Sequence, residues 1–132
     1  MKKIRVAFIL LSLACSSYDL TTPSQDSLSG KWNLVSVNDT PLPYEAPHVG
    51  SNKVELIEDV LTISPPNTFT EVSTFRDTQN GQVTTHTVTD TGTYEFNSYA
   101  VTFHFQNDGS IGSGTLTGRT MFLCVSFIER PV

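Results

Sequence analysis

Apolar and polar residues alternate through most of the chain from Gly30 onward. Tyr99-Ala100-Val101-Thr102-Phe103-His104-Phe105 is the clearest stretch: every second residue is large and apolar, the spacing of a strand that buries one face and wets the other. The same spacing, crowded with β-branched and aromatic residues, predicts strands over Lys31–Val37, Lys53–Ile57, Val60–Ser64, Thr68–Arg76, Gln82–Thr89, Thr93–Phe96, Ser113–Leu116 and Thr120–Glu129. No segment after Gly30 carries a convincing helical period. Glu58-Asp59, Pro65-Pro66-Asn67, Gln79-Asn80-Gly81, Asp90-Thr91-Gly92, Asn107-Asp108-Gly109 and Thr117-Gly118 fall between the runs and read as turns. The longest gap, Asn38 to Asn52, carries Pro41, Pro43, Pro47 and Gly50 and predicts an ordered lid or an excursion across one end of the sheet.

Short antiparallel strands in sequence must protect their edges, and closing into a ring removes them. The expected fold is all-β: an antiparallel up-and-down meander closing into a small barrel of about eight to ten strands. A two-sheet sandwich is the rival, but Greek-key connections need longer crossovers than most of these turns provide.

The first residues follow a different logic. In MKKIRVAFILLSLAC, the basic Lys2, Lys3 and Arg5 precede an apolar run from Val6 to Leu13, then Ala14 and Cys15. This is the layout of an export signal over residues 1–14. Its apolar core is shorter than the roughly 20 residues a membrane-crossing helix needs. Leu11-Ser12-Leu13-Ala14-Cys15 resembles the bacterial lipobox, which implies that Cys15 becomes the lipid-modified N-terminus. Ordinary signal-peptidase cleavage nearby, with Cys15 lost or incidental, is the other reading. The resemblance to bacterial lipoproteins further implies that Ser16, not being acidic, leaves the outer membrane as destination in a cell with two membranes. Residues 15–29 are polar, rich in Ser and Thr and interrupted by Pro23, the composition of a flexible tether. The barrel domain is then expected over residues 30–132.

Charge narrows the partners. The 132 residues carry eight Lys plus Arg against thirteen Asp plus Glu, a formal charge of −5. Removing residues 1–14 deletes three basic residues and no acidic one, so the mature charge is −8. Such a chain repels phosphate backbones, which argues against nucleic-acid binding. Two cysteines are too few for a disulfide scaffold, and Cys124, inside an apolar run, reads as a small buried hydrophobe.

Candidate chemistry is sparse. His48, His86 and His104 match no zinc-binding spacing, and His104 lies on the polar side of its strand, facing solvent. Glu71, Arg76, Glu95 and Glu129 sit in strands, either on the outer face or pointing inward as a polar anchor. Gly112-Ser113-Gly114 lacks the strand-to-helix bend of a nucleophile elbow, and no phosphate loop or dinucleotide fingerprint occurs. Catalysis, a cofactor and a metal are therefore not expected. The aromatic residues remain. A barrel of about eight strands is just wide enough to be filled by side chains or to enclose one small ligand. Phe69, Phe75, Tyr94, Phe103 and Phe105 are accordingly either core or the walls of a site for a small hydrophobic ligand. Thr120–Glu129 is apolar on both faces, Phe122, Cys124 and Ile128 forming the second, so a covering element or partner is expected outside it.

Gly30-Lys31-Trp32 at the start of a strand, the meander that follows and Arg130 near the end resemble the calycin superfamily, most nearly a small bacterial lipocalin-like lipoprotein. Trp32–Asn38, Pro41-Leu42-Pro43-Tyr44 and Gly92-Thr93-Tyr94 are similar to segments of the same group. The likeness covers Gly30 to Arg130, although the chain is shorter than a usual lipocalin and shows no C-terminal helix. The resemblance implies that Trp32 closes one end of the barrel and Arg130 packs across its ring, a cation–π contact of about 0.5–2 kcal/mol. It further implies an exported, lipid-anchored, non-catalytic protein at the periplasmic face or outer membrane, accepting a small hydrophobic ligand in the barrel mouth. The alternative is a filled barrel that engages another protein of the cell envelope.

Overall fold

A computed structural model describes residues 15–20, 28–46, 52–97 and 99–126. The alternating segments become strands β1 (Cys15–Leu20), β2 (Gly30–Val37), β3 (Thr40–Pro41), β4 (Tyr44–Glu45), β5 (Lys53–Ser64), β6 (Thr68–Gln79), β7 (Gln82–Asn97), β8 (Ala100–Phe105), β9 (Ile111–Thr117) and β10 (Thr120–Ser126). Every pairing is antiparallel. β5 to β10 pair in succession, β10 pairs β1, β1 pairs β2, and β2 returns to β5, so eight strands close a ring with β3 and β4 outside it. The expected up-and-down barrel is present.

The ring closes at two places. At one, Gly30 to Asn33 of β2 pair with Ile63 to Val60 of β5. Beyond that the two strands part: the far end of β2 takes β3 as its neighbour, and β5 takes β4. The described part of the 38–52 excursion therefore covers a splayed seam, and Leu42 and Tyr44 pack against the core there. Asn38 and Asp39 turn the chain at φ 50° and 65°, in the left-handed region that Asn and Asp tolerate.

The second closure corrects the start of the expected 15–29 tether, of which residues 21–27 lie outside the described residues. Residues 15–20 are β1, a strand of the ring lying between β10 and β2. Tyr18 and Leu20 alternate inward and are buried, and this apolar pair is what the strand contributes to the interior. Two such residues in a run of Ser and Asp are too short a pattern to mark a strand from sequence.

Two expected turns also vanish into strands. Glu58-Asp59 lies within β5, which carries a register shift between Leu56 and Glu58. Asp90-Thr91-Gly92 lies within the 16-residue β7. Gly92 is required there by close approach: a Cβ would meet the carbonyl of His104 and come within 2.7 Å of the Phe69 ring. The Asn80-Gly81 turn, by contrast, forms as expected, with both residues at positive φ.

Trp32, Leu61, Phe103 and Met121 are fully enclosed at the centre of one apolar cluster. On β10, Met121 and Leu123 face inward, whereas Phe122 on the other side is 54% exposed. Among the described residues nothing covers that outer face, contrary to expectation; Ile128 and Glu129 lie outside them.

Candidate functional site

The barrel interior holds two chemically distinct groups. The first is aromatic. Phe69 on β6 meets Phe103 and Phe105 on β8 edge to face, each at a centroid distance of 5.1 Å, and Tyr94 on β7 lies 6.3 Å from Phe103. These are favourable ring geometries. Facing strands make room by dropping side chains altogether. A Cβ on Gly114 would come within 2.9 Å of Val101, and one on Gly112 within 3.0 Å of Leu123. Phe75, further along β6, is buried beneath the imidazole of His86, stacked at 5.5 Å and 21°. The five proposed ligand-contacting residues thus spend their surface on one another and on neighbouring side chains.

The second group is acidic. Tyr18 Oη on β1 lies 3.2 Å from Asp59 Oδ1 on β5 and 3.0 Å from Glu71 Oε2 on β6, and Ser73 Oγ donates to Asp59 Oδ2 at 2.8 Å. Asp90 on β7 stands opposite Glu71 in the ladder, equally buried. Removal from water is the main cause of every shift here. It pushes the Tyr18 hydroxyl and the Glu71 carboxyl well up, with the charge of Asp59 adding to both. It raises Asp59 and Asp90 to about 6. One hydroxyl proton serves two carboxyl groups, and of these Glu71 is pushed toward its neutral form by burial and by the charge of Asp59. At the ring's outer side, the Arg76 guanidinium donates to Glu55 Oε1 at 2.9 Å and holds that carboxyl below its ordinary value.

What can this arrangement do? Asp59 and Glu71 are sealed from solvent, at 5% and 7% exposed, and accept hydrogen bonds from the Tyr18 hydroxyl. Among the described residues no three His, Cys, Asp or Glu side chains are placed to hold a metal ion. Of the charged strand residues singled out from sequence, Glu71 points inward; Arg76 pairs with Glu55; and Glu95 lies outside, 3.2 Å from His104, which faces solvent as expected. Glu129 and His48 lie outside the described residues. Tyr18, Asp59, Ser73 and Asp90 were not anticipated. An open, polar depression of about 490 Å³ lies at the β6–β7 tip, lined by Asp77, Gln79, Asn80, Gln82 and Thr84, and none of the five aromatic candidates borders it.

Trp32 is 0% exposed and donates from Nε1 to the Leu28 carbonyl at 2.8 Å, at the end of the barrel where Leu20, Trp32 and Leu61 stand side by side across β1, β2 and β5. Its expected partner Arg130 lies outside the described residues. At the same end, Arg119 donates to the Leu20 carbonyl at 2.9 Å and Leu20 N–H to the Arg119 carbonyl, tying β1 to the β9–β10 turn.

Cys15 and Cys124, register partners across β1 and β10, are joined in a disulfide. Cys124 is thus neither free nor buried; it stands on the outer face of its strand. The expectation of lipid at Cys15 meets a chemical conflict here: a sulfur in a disulfide cannot also carry a thioether.

No protein-family model, curated protein or solved structure matches the chain. The fold and site define a class instead: a small antiparallel barrel of eight ring strands, packed with aromatic rings at one level and with a proton-sharing carboxyl cluster at the next.

Proposed function

We propose that this chain is an exported, lipocalin-like, non-catalytic barrel that works through its outer surface, as an interaction module in the cell envelope. The observation that carries the reading is the mutual packing of Phe69, Tyr94, Phe103 and Phe105 against strands stripped to glycine at Gly92, Gly112 and Gly114. A small hydrophobic ligand would have to part rings already in contact, losing as much apolar burial as it gained. The lipocalin likeness is supported by the meander, the ring and the buried Trp32 near the start of β2.

Export is supported by the basic-then-apolar leader and by the disulfide, a bond that persists in oxidising compartments outside the cytoplasm. Outward residues such as Asn33, Glu58, Thr74, Thr87 and Thr115 are polar, with Val35, Val72, Phe96 and Phe122 scattered among them, and the interior is mostly apolar around its carboxyl cluster, a pattern nearer to a barrel standing in water than to one embedded in lipid. In this reading Cys15 staples the ring, and its lipidation, with Cys124 left reduced, is the competing mature form. The net negative charge leaves nucleic acid an unsuitable partner.

Native mass spectrometry of the protein purified from cells, with Trp32 fluorescence followed during fatty-acid titration, tests the reading. No copurifying small molecule and an unmoved emission are expected. Stoichiometric uptake with a shift in Trp32 emission would overturn the filled barrel in favour of a carrier. The intact mass of the same sample separates a Cys15–Cys124 disulfide from a diacylglycerol thioether at Cys15.

A further inference from the structure

β7 is longer than its neighbour on one side. Its partner β6 accompanies it throughout, from Thr68 opposite Thr93 to Gln79 opposite Gln82. β8 pairs with β7 only from Gly92 to Asn97. From Gln82 to Thr89, β7 is therefore the border of a four-stranded sheet, β4–β5–β6–β7, projecting below the closed part of the ring.

The direction of its peptide groups follows from two hydrogen bonds. The Thr91 carbonyl accepts from Gln106 N–H at 2.9 Å and the Thr89 carbonyl from Asn107 Nδ2 at 3.2 Å, both on the side away from β6. In an antiparallel ladder every second residue points its N–H and C=O the same way. Val83, Thr85 and Thr87 therefore aim theirs at the border too, and no described residue pairs with them.

Natural borders are usually blunted with lysine, proline, a bulge or brevity. This one has none of these. Six of the eight residues from Gln82 to Thr89 are β-branched, and the register with β6 is unbroken. The twelve residues from Thr78 to Thr89 include no Asp, Glu, Lys or Arg, in a chain that is otherwise strongly acidic. Val83, at the end of the border, is 59% exposed.

We propose that a second copy of the chain adds to this border, β7 against β7, antiparallel about a twofold axis at His86. That register sets Thr85 opposite Thr87 and Val83 opposite Thr89 of the second copy, so the residues that aim peptide groups outward on one copy meet those that do so on the other. The charge pattern favours this occupant: no border residue is itself charged, and the Asp77 carboxylate on β6 stands 3.6 Å from His86 Nδ1 of its own chain, so two molecules of the same negative sign can approach here without carboxylates on the facing strands. The contact is isologous, uses up both borders and stops at a dimer, producing one eight-stranded sheet between two barrels. The inference builds on the surface-acting reading given above. Ligand uptake would defeat that reading and leave this one intact, because no border peptide group faces the interior.

The test uses the mature disulfide-bonded protein in sedimentation velocity from micromolar to millimolar concentration, with amide hydrogen exchange at both extremes. A twofold rise in mass with concentration is expected, together with slowed exchange at Val83, Thr85 and Thr87. Thr87→Pro removes an N–H from the border alone, leaving the β6 ladder bonded, and should abolish the dimer while the monomer keeps its circular dichroism. Thr85→Lys, which restores a common border guard, should do the same should the proline variant fail to fold. A monomer at all concentrations, a dimer that survives Thr85→Lys, or protection of the three amides already complete in the monomer would each overturn the proposal. An extended segment of another protein bound at this border, with no dimer, would likewise refute it.

Discussion

At the scale of single residues, the interior is decided by a few side chains that sequence reading ranks unevenly. Trp32 was legible only through the resemblance carried by Gly30-Lys31-Trp32, which implied a tryptophan closing one end of the barrel, and it is the largest of the fully buried side chains. Truncating it to alanine removes the whole indole from a close-packed site and is expected to cost roughly 3–5 kcal/mol in urea unfolding; a loss below about 1 kcal/mol would match an exposed residue instead. The carboxyl cluster was only partly legible. Asp59, Leu61 and Ile63 share one face of β5, and Asp90, Gly92 and Tyr94 share one face of β7. That parity points both acids inward. It is hidden as long as Glu58-Asp59 and Asp90-Thr91-Gly92 are taken for turns, because a polar pair or a glycine ordinarily ends a strand. The acids are tolerated inside because Tyr18 and Ser73 bond them, and Tyr18 sits in a segment too polar to announce itself.

At the scale of elements, the ring strands from β2 onward fall on the predicted runs, with β5 and β7 each joining two of them, whereas β3 and β4 lie inside the expected 38–52 gap and β1 escapes the pattern. A border between a flexible leader and a folded domain is read from composition, and Ser-Ser-Tyr-Asp composition does not distinguish a tether from a strand paired on both sides. The disulfide supplies what composition lacks, by holding β1 to β10 across a separation of 109 residues. Its two cysteines lie far apart in the sequence, and pairing between them is not deducible until both are known to be strand neighbours. Replacing Cys124 with serine releases the largest loop in the chain and is expected to lower stability by roughly 2–5 kcal/mol. Equilibrium unfolding with and without reductant checks this, and reductant should move the wild-type midpoint but leave that of Cys124→Ser in place.

At the scale of the whole molecule, the buried acids set how stability responds to pH. Asp59 and Asp90 titrate at about 6 in the folded barrel and in the ordinary carboxylate range once unfolded. Between about pH 4 and 6 the folded state therefore holds protons that the unfolded chain has released, and stability falls as pH rises through that interval. Glu71, shifted in the same direction, extends the fall upward. The lowered Glu55 works oppositely, its contribution being lost only in stronger acid, and it lies nearer the surface, where such pairs matter less. The thermal midpoint is expected to be higher at pH 5 than at pH 8 by several degrees, and Glu71→Gln should flatten that slope; a midpoint that rises toward pH 8 would mean that the acids are solvated.

β1 seals the ring, and this can be read directly from nuclear Overhauser contacts in the disulfide-bonded protein. Leu20 bonds toward β10, so its neighbours one residue along form the close, non-bonded pairs of that ladder. Strong Hα–Hα contacts are predicted between Ser17 and Phe122 and between Asp19 and Thr120. Random-coil shifts over residues 15–20 with neither contact would contradict the account.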